Sequence, residues 1–477
     1  MATTATNHAS EPVTSVAERR RVLAATIVGT TVEWYDFFIY AFMASLVFGE
    51  LFFKPMGAAL GEAGPVLISV ASIGLSFLFR PLGAFLAGHF GDRFGRKPVL
   101  ITTLIMMGGA TALIGVLPTG DFAAFSAVLL LLLRVLQGIS TGGEWGGAAL
   151  MAVETAPMGQ RNRAGAWPQM GVPFGMLMAT GMLTVLQSVF THEQFLDFGW
   201  RIAFLFSIVL IIVGYVVRRA VEESPVFKQI AEAKKEQTAP VAVLFRRFPL
   251  IVLFAALVFA GDNAVGYMLV GGTVSKYASA PLPPDGNGMV GMEPSTVSLL
   301  LNIAAISWAI FTYLGAYIAD KTSAKTVFII GYILMVPASI VLFPLVTMGA
   351  DNPIYFVLGT CLLGVPLGFC YGPLSAWYAE VFPASVRFSG VSITYAIGAI
   401  VGGAFAPLIV TALFEANEGR WYGPAIYLSV MSLVGLVGSI ALRNRHNIPL
   451  GADMEASGVW DEWKPGDPIP AGVKHDH

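Results

Sequence analysis

Residues 154–161 read ETAPMGQR and residues 380–387 read EVFPASVR, two copies of the pattern Glu-x-x-Pro-x-x-x-Arg. The offset between them also superposes Gly138 on Gly364 and Gly142 on Gly368. A fainter echo sets GDRFGRK (91–97) against ADKTSAK (319–325), aligning Asp92 with Asp320 and Lys97 with Lys325. Three echoes in the same order predict two parallel halves with a central site between them.

The residues around the repeats set the fold class. Of 477 residues, 56% are hydrophobic and 12% charged, and the mean hydropathy is +0.71. Soluble domains carry roughly 25% charged residues, so a soluble fold is excluded. Apolar runs of the length that spans a hydrocarbon core as a helix fall near 22–48, 64–89, 98–117, 123–154, 164–190, 200–219, 249–277, 295–319, 325–347, 354–380, 387–414 and 422–443. The expectation is an all-α membrane protein with twelve transmembrane helices in two pseudo-symmetric six-helix bundles. The boundaries are an N-terminal tail (1–21), a first bundle (22–219), a linker with a short charged helix (220–248), a second bundle (249–443) and a C-terminal tail (444–477). The first apolar run is too long for the h-region of a cleaved signal peptide and is read as a retained anchor.

Orientation follows from charge. All but six of the 28 lysines and arginines (Lys54, Arg80, Arg134, Arg201, Lys276 and Arg420) fall in the tails or in loops on the side of the termini. Loops on the other side are short and acidic, with Glu50, Glu62, Asp121, Glu193 and Asp351 among them. The positive-inside rule then puts both termini in the cytoplasm.

Several charges lie inside spans, where each costs about 2.5–3.5 kcal/mol at the centre and normally faces a cavity or a partner. In span one, Thr26, Gly29, Glu33, Asp36 and Tyr40 share one face at about 100° per residue. In span four, Arg134, Gln137, Thr141 and Glu144 do the same. A guanidinium is always charged, so Arg134 needs a counter-ion; Asp36, Glu33 or a substrate carboxylate can supply it. Pairing favours the charged carboxylate and desolvation the neutral one, and alternation between the two is what a proton carrier requires. The bland reading is an ion pair that only fixes helix packing, with Glu33 snorkelling to water. Span four also carries Gly138, Gly142, Gly143, Gly146 and Gly147, whose spacing suits close helix packing.

The second half offers Asp262, Asn263 and Tyr267 in span seven, Asp262 reading equally as a cavity residue or as a structural partner. The position aligned with Arg134 is Thr360. Tyr371, Trp377 and Tyr395 supply aromatic surface. Arg80, next to Pro81, is read as satisfying carbonyls that the proline frees. The chain contains no P-loop, no H-E-x-x-H, no Cys/His metal spacing and no G-x-S-x-G. The expectation is therefore not an enzyme: no cofactor, no metal and no nucleic-acid partner.

GDRFGRK (91–97), with Gly83 and Gly88 upstream, resembles the loop signature of the major facilitator superfamily. EWYDFFIYA (33–41), FLFRPLGAFLAGHFGDRFGRK (77–97), RVLQGISTGGEWGGA (134–148) and GWRIAFLFS (199–207) resemble the metabolite:proton symporter family. GGEWGGAAL (142–150) and EQFLDFGWRIAFLFSIVL (193–210) look closest to its bacterial shikimate permease branch. The resemblance implies import of a small carboxylate or zwitterion driven by the proton gradient, across a bacterial cytoplasmic membrane, by a rocker-switch between the halves. It also implies an inner gate of Asp92, Arg93, Arg96 and Lys97, which we extend to the repeated pairs Glu154/Arg161 and Glu380/Arg387. On this reading Asp36 and Glu33 carry the proton, and Arg134, Gln137, Glu144, Tyr40, Asp262, Asn263 and Tyr267 bind substrate. The chain reads as a monomer whose partners are the substrate, protons and the lipid bilayer. Alternatives are a uniporter or exchanger of similar solutes, a proline/betaine symporter and, from another class, a ligand sensor. The C-terminal tail is rich in Pro and Gly and has no heptads, against the coiled-coil tail usual in the betaine branch.

Overall fold

The structure, a computed structural model, describes residues 16–54, 64–94, 96–219, 240–270, 273–279, 290–470 and 473. Among them there are helices and no strand. Eleven helices are long and apolar enough to cross a membrane, and the second span, Gly64–Phe94, holds a shorter apolar stretch at 71–87. The anticipated linker helix lies outside the described residues; a separate short helix, Pro240–Arg247, precedes span seven.

Local signals place the helix starts. Span nine, Ala324–Met348, is capped by Ser323, whose hydroxyl accepts from Thr326 N at 3.2 Å. Span ten, Pro353–Tyr371, is capped by Asn352, with proline at the first helical position, where no N–H is missed. Four spans are interrupted. Span one runs on from Val16–Met43 into a π-helical turn, Ala44–Phe53. Span six is Trp200–Leu205 and Ser207–Arg219, entered through a π turn. Span ten restarts as Leu374–Val381 after Gly372-Pro373, and span eleven (Arg387–Ala399, Ala406–Ala416) contains a π turn at Ile400–Ala404.

Packing repeats with a period of six. Span one lies along five, two along four, and three along four and six; seven lies along eleven, eight along ten, and nine along ten and twelve. Across the halves, five meets eight while two meets eleven, and four meets eleven while five meets the end of ten. These are the two pseudo-symmetric six-helix bundles. Their outer surface exposes large aliphatic side chains such as Leu132, Ile212, Leu250 and Ile426, the pattern of a surface solvated by lipid.

The glycines of span four bring backbones together. A Cβ on Gly138 would stand 2.2 Å from Ser76 O and one on Gly142 1.9 Å from Arg80 O, both on span two. Of their repeat partners, Gly368 meets span eight in the same way, a Cβ there standing 2.5 Å from Thr312 N, whereas one on Gly364 would find its nearest neighbour at 3.4 Å. Gly146 instead faces Ser392 of the other half, at 2.1 Å from its Oγ.

The C-terminal tail is folded, which its composition did not suggest. Beyond span twelve (Tyr422–Ala441), Ile448, Leu450, Met454, Trp460 and Trp463 are buried. Arg445 donates to Trp460 O and lies over the Trp460 ring, 3.7 Å from its centroid.

Gly142→Leu is expected to separate spans two and four, costing more than the roughly 1–3 kcal/mol of ordinary overpacking. A fall of several degrees in the unfolding temperature in detergent, with loss of monodisperse protein, checks this.

Candidate functional site

Between the halves lies a cavity of about 20 Å³, lined by Trp34 from span one and by Asp262, Asn263, Tyr267, Trp308 and Tyr371 from the second half. This is room for roughly one water. Span seven positions three of these side chains on two adjacent turns, and the π turn of span eleven lets Gly403 pass Asn263 and Tyr267, where any Cβ would stand 2.2 Å from Asn263 Nδ2. Asp262 is 3% exposed, and Asp262 Oδ1, Tyr267 OH, Tyr371 OH and Trp308 Nε1 have no hydrogen-bond partner. Of its two readings, Asp262 is thus a cavity residue.

Phe37 and Phe77 of the first half meet Tyr267 edge-on at 5.7 and 5.5 Å between ring centroids. Toward the end where the termini lie, Trp145 stacks on Tyr395 at 3.7 Å, and Tyr395 stacks on Phe259 at 4.1 Å. Trp145 Nε1 donates to Gln169 Oε1 at 2.8 Å, and Gln169 Nε2 donates to Tyr371 O at 3.2 Å. On the opposite side Thr180 of span five donates to Asn302 of span eight, and span two approaches the π turn of span eleven at Gly74 and Ala404. Contacts between the halves thus flank the cavity on both sides.

The acids of span one do not meet Arg134. Asp36 is fully buried and accepts a hydrogen bond from Ser207 of span six; Gly108 of span three lies beside it. Its Oδ2 has no partner. Glu33, one turn away, is 4% exposed with Oε2 unpartnered, within electrostatic reach of Glu144, Arg80, Arg218 and Asp36. Arg134 donates to Gln137 Oε1 at 3.0 Å and Ile73 O at 3.2 Å, and lies over the Tyr40 ring at 4.0 Å. No carboxylate of the described residues is within ion-pair distance of it, which corrects the expected pairing with Asp36 or Glu33: carbonyl and amide oxygens and an aromatic face surround it instead. Gln137 passes the network to Thr111 at 2.8 Å, and Tyr40 OH joins Ser72 Oγ at 2.6 Å. Glu144 is paired with Arg218, which reaches back from the end of span six. Helical arithmetic gave the correct faces, but which neighbour each face meets depends on the crossing of spans one, three, four and six.

Arg80 also departs from its reading. It is 3% exposed and makes no hydrogen bond or ion pair with any described residue; its guanidinium carbon lies 4.1 Å from the Phe77 ring centroid and 5.9 Å from that of Trp34. It does not satisfy carbonyls freed by Pro81.

The repeated Glu-x-x-Pro-x-x-x-Arg motifs cross over. Arg161 of the first half meets Glu380 of the second at 3.8 Å, and Arg387 of the second meets Glu154 of the first at 3.9 Å, all four buried. Asp320 accepts from Asn162 N at 2.9 Å and pairs with Arg163 Nε at 2.7 Å, so it caps the start of span five from the other half. The side chains of Asp92, Arg93 and Arg96 lie outside the described residues. Lys97 donates to Arg219 O at 2.9 Å, within the first half. The tail lies across these pairs: Arg161 Nη1 donates to Ile448 O at 2.6 Å, Arg387 Nη1 to Leu450 O at 2.8 Å, Asn447 N to Glu380 Oε1 at 3.0 Å, and Gly159 N to Asn447 Oδ1 at 3.0 Å. Asn447 takes φ 64°, the left-handed region that asparagine tolerates. The sequence reading missed this strap; tryptophans at 460 and 463 in a Pro/Gly-rich tail were its only signal.

A family model described as Sugar (and other) transporter matches residues 22–247, and one described as Major Facilitator Superfamily matches residues 263–465. The chain is 36% identical to the inner membrane metabolite transport protein YhjE of Escherichia coli (strain K12), over 91% of its own length and 97% of the relative's. It belongs to the major facilitator superfamily. This facilitator is also 33% identical to the shikimate transporter of the same strain, over 91% of this chain and 97% of that one. It is 32% identical to a putative proline/betaine transporter of Staphylococcus aureus (strain N315), over 88% and 87%. Among solved structures, the proton:xylose symporter XylE bound to 6-bromo-6-deoxy-D-glucose superposes with a TM-score of 0.73 at 16% identity, covering 92% of this chain and 99% of that one. The facilitator is accordingly a multi-pass membrane transporter and not an enzyme.

Breaking a buried pair by removing one partner costs about 3–5 kcal/mol. Glu380→Gln and Glu154→Gln are each expected to loosen contact between the halves, read as a lower unfolding temperature and faster alkylation of a cysteine placed at Ser375.

Burial pushes the His446 imidazole below its ordinary 6.5, with Asp320 opposing and Arg161 adding to the shift. A lowered folded-state value means that the docked tail keeps this stability above pH 6.5 and loses it as pH falls through the lowered value. Limited proteolysis is expected to release the tail faster at pH 5 than at pH 7.5, and His446→Gln to remove the difference.

Proposed function

We propose that the chain is a proton-coupled importer of a small carboxylate, working by alternating access in a bacterial cytoplasmic membrane with both termini in the cytoplasm. One observation carries the coupling. Asp36 and Glu33, one turn apart and sealed from water, each hold an oxygen without a hydrogen bond. An unpaired buried carboxylate is costly as an anion, and binding a proton removes that cost. Both acids lie on the span that contributes Trp34 to the cavity.

Alternating access is supported by the cavity's size. Sites for small molecules occupy about 300–1,000 Å³, so a solute enters only if the halves separate. The crossed pairs Arg161/Glu380 and Arg387/Glu154, with the tail strapped over them, act as the inner gate, and Asp92, Arg93, Arg96 and Lys97 belong to the same gate by the family resemblance. Asp262, Asn263 and Tyr267 contact substrate, whereas Arg134, Gln137 and Tyr40 act from behind the cavity and Glu144 holds Arg218. The relative named for shikimate supports the carboxylate.

Reconstituted in proteoliposomes, the protein is expected to accumulate shikimate or a related carboxylate under an inward proton gradient and to lose accumulation with a protonophore. Asp36→Asn is expected to abolish accumulation while retaining counterflow exchange. Accumulation indifferent to the gradient would refute symport and leave the exchanger.

A further inference from the structure

Arg80, read from the sequence as a local structural residue, is a buried charge with no hydrogen bond or ion pair to any described residue. Arg134 has two oxygen acceptors in its own half. Arg80, equally deep in the bundle, has none; its Nε, like that of Arg134, is buried and unpartnered. It sits beside the cavity wall: Trp34, 5.9 Å from its guanidinium carbon, lines the cavity, and Phe77, over which it lies, meets the cavity residue Tyr267 edge-on. Tyr267 and Tyr395 of the second half are both within its electrostatic reach.

The opposite wall is built the other way round. Asp262 presents a buried acceptor without a partner, and Tyr267 OH, Tyr371 OH and Trp308 Nε1 beside it are unpartnered too. Buried polar groups are paired in the great majority of cases. Four orphaned groups on one small cavity, with an orphaned guanidinium at its edge, therefore describe a ligand's complement. A guanidinium matches a carboxylate in a two-bonded fork. An ionised carboxylate accepts only, so what meets Asp262 in that state must donate.

We infer that Arg80 binds the substrate's carboxylate from the first half while Asp262 accepts a hydrogen bond from a hydroxyl or ammonium group at its other end. The substrate class is a carboxylate bearing a hydrogen-bond donor. This rests on the carboxylate-import reading and deepens it. Because Arg80 and Asp262 belong to different halves, such a solute ties the halves together as it is enclosed, and a carboxylate without the donor leaves Asp262 buried and unsatisfied.

The test is equilibrium binding to the purified full-length protein in detergent, with shikimate, proline, glycine betaine and cyclohex-1-ene-1-carboxylate as probes. The wild type is expected to bind shikimate or proline at least about a hundredfold more tightly than the two carboxylates that lack a donor, as sites built around a substrate hydroxyl or amine do. Arg80→Gln should then lose binding, and Arg80→Lys, which keeps the charge without the fork, should weaken it by about tenfold or more. Asp262→Asn should weaken shikimate modestly, since an amide oxygen still accepts, and proline severely, since the ammonium loses its counter-charge; the contrast separates hydroxyl from ammonium. Both arginine variants are checked for monodispersity, and a folded Arg80→Lys with unchanged affinity overturns the assignment. Equal affinity for the donor-free carboxylates overturns the Asp262 end. A wild type that binds a carboxylate through Arg134, with Arg134→Gln weak and Arg80→Gln normal, refutes this assignment and leaves carboxylate import standing; one that binds none of the four overturns both.

Discussion

Charge has almost no water to turn to inside this bundle, and how each buried charge is answered organises the structure around it. Arg134 is answered by Gln137 Oε1, Ile73 O and the Tyr40 ring within the first half. Glu144 is answered by Arg218. Arg161 and Arg387 are answered across the two halves by Glu380 and Glu154. Groups answered within a half define its frame, and groups answered across halves define where the halves meet. Asp36, Glu33, Arg80 and Asp262, each with an unanswered atom, cluster at or behind the cavity, where a proton or a solute can complete them. The partition follows from the high cost of an unpaired polar group in a low dielectric.

The crossing of the repeated motif has a structural consequence. A parallel duplication yields two equivalent helix ends at one face, and each supplies the acid that the other half's arginine needs. Asp320 adds a cap to span five from the opposite half. The tail makes the junction asymmetric, because one strand of chain crosses both arginines and accepts from each. Two buried ion pairs, a third that is partly exposed, and a strap at one end stand against aromatic edges and a threonine–asparagine hydrogen bond nearer the other. The two ends of the transporter are therefore held by different chemistry, polar and ionic at the terminal face, largely apolar beyond the cavity.

Much of the architecture was legible in local pattern. Apolar run length marked the spans, the glycines at 138, 142 and 368 marked close helix approach, and the repeated acid-proline-arginine motif pointed to paired halves. The same pattern misled where a partner had to be named. Asp36 and Arg134 each sit on a polar stripe, yet the stripes do not face each other: span one turns Asp36 toward Ser207 and Gly108. Arg80 looked local because a proline follows it, but Phe77 and Trp34 hold it beside the other half. The tail's composition concealed its fold, since its order comes from tryptophans and backbone carbonyls meeting helix ends far away in sequence.

By itself the sequence determined the helical membrane fold, its duplication and the set of residues too polar to be left in lipid, because span length, periodicity and repeat register are properties of neighbouring residues. Only the tertiary structure decided which of those residues are satisfied and which remain open to a ligand. Pairing depends on distances between helices that cross at angles no local pattern encodes, and a shift of one helical turn exchanges one partner for another.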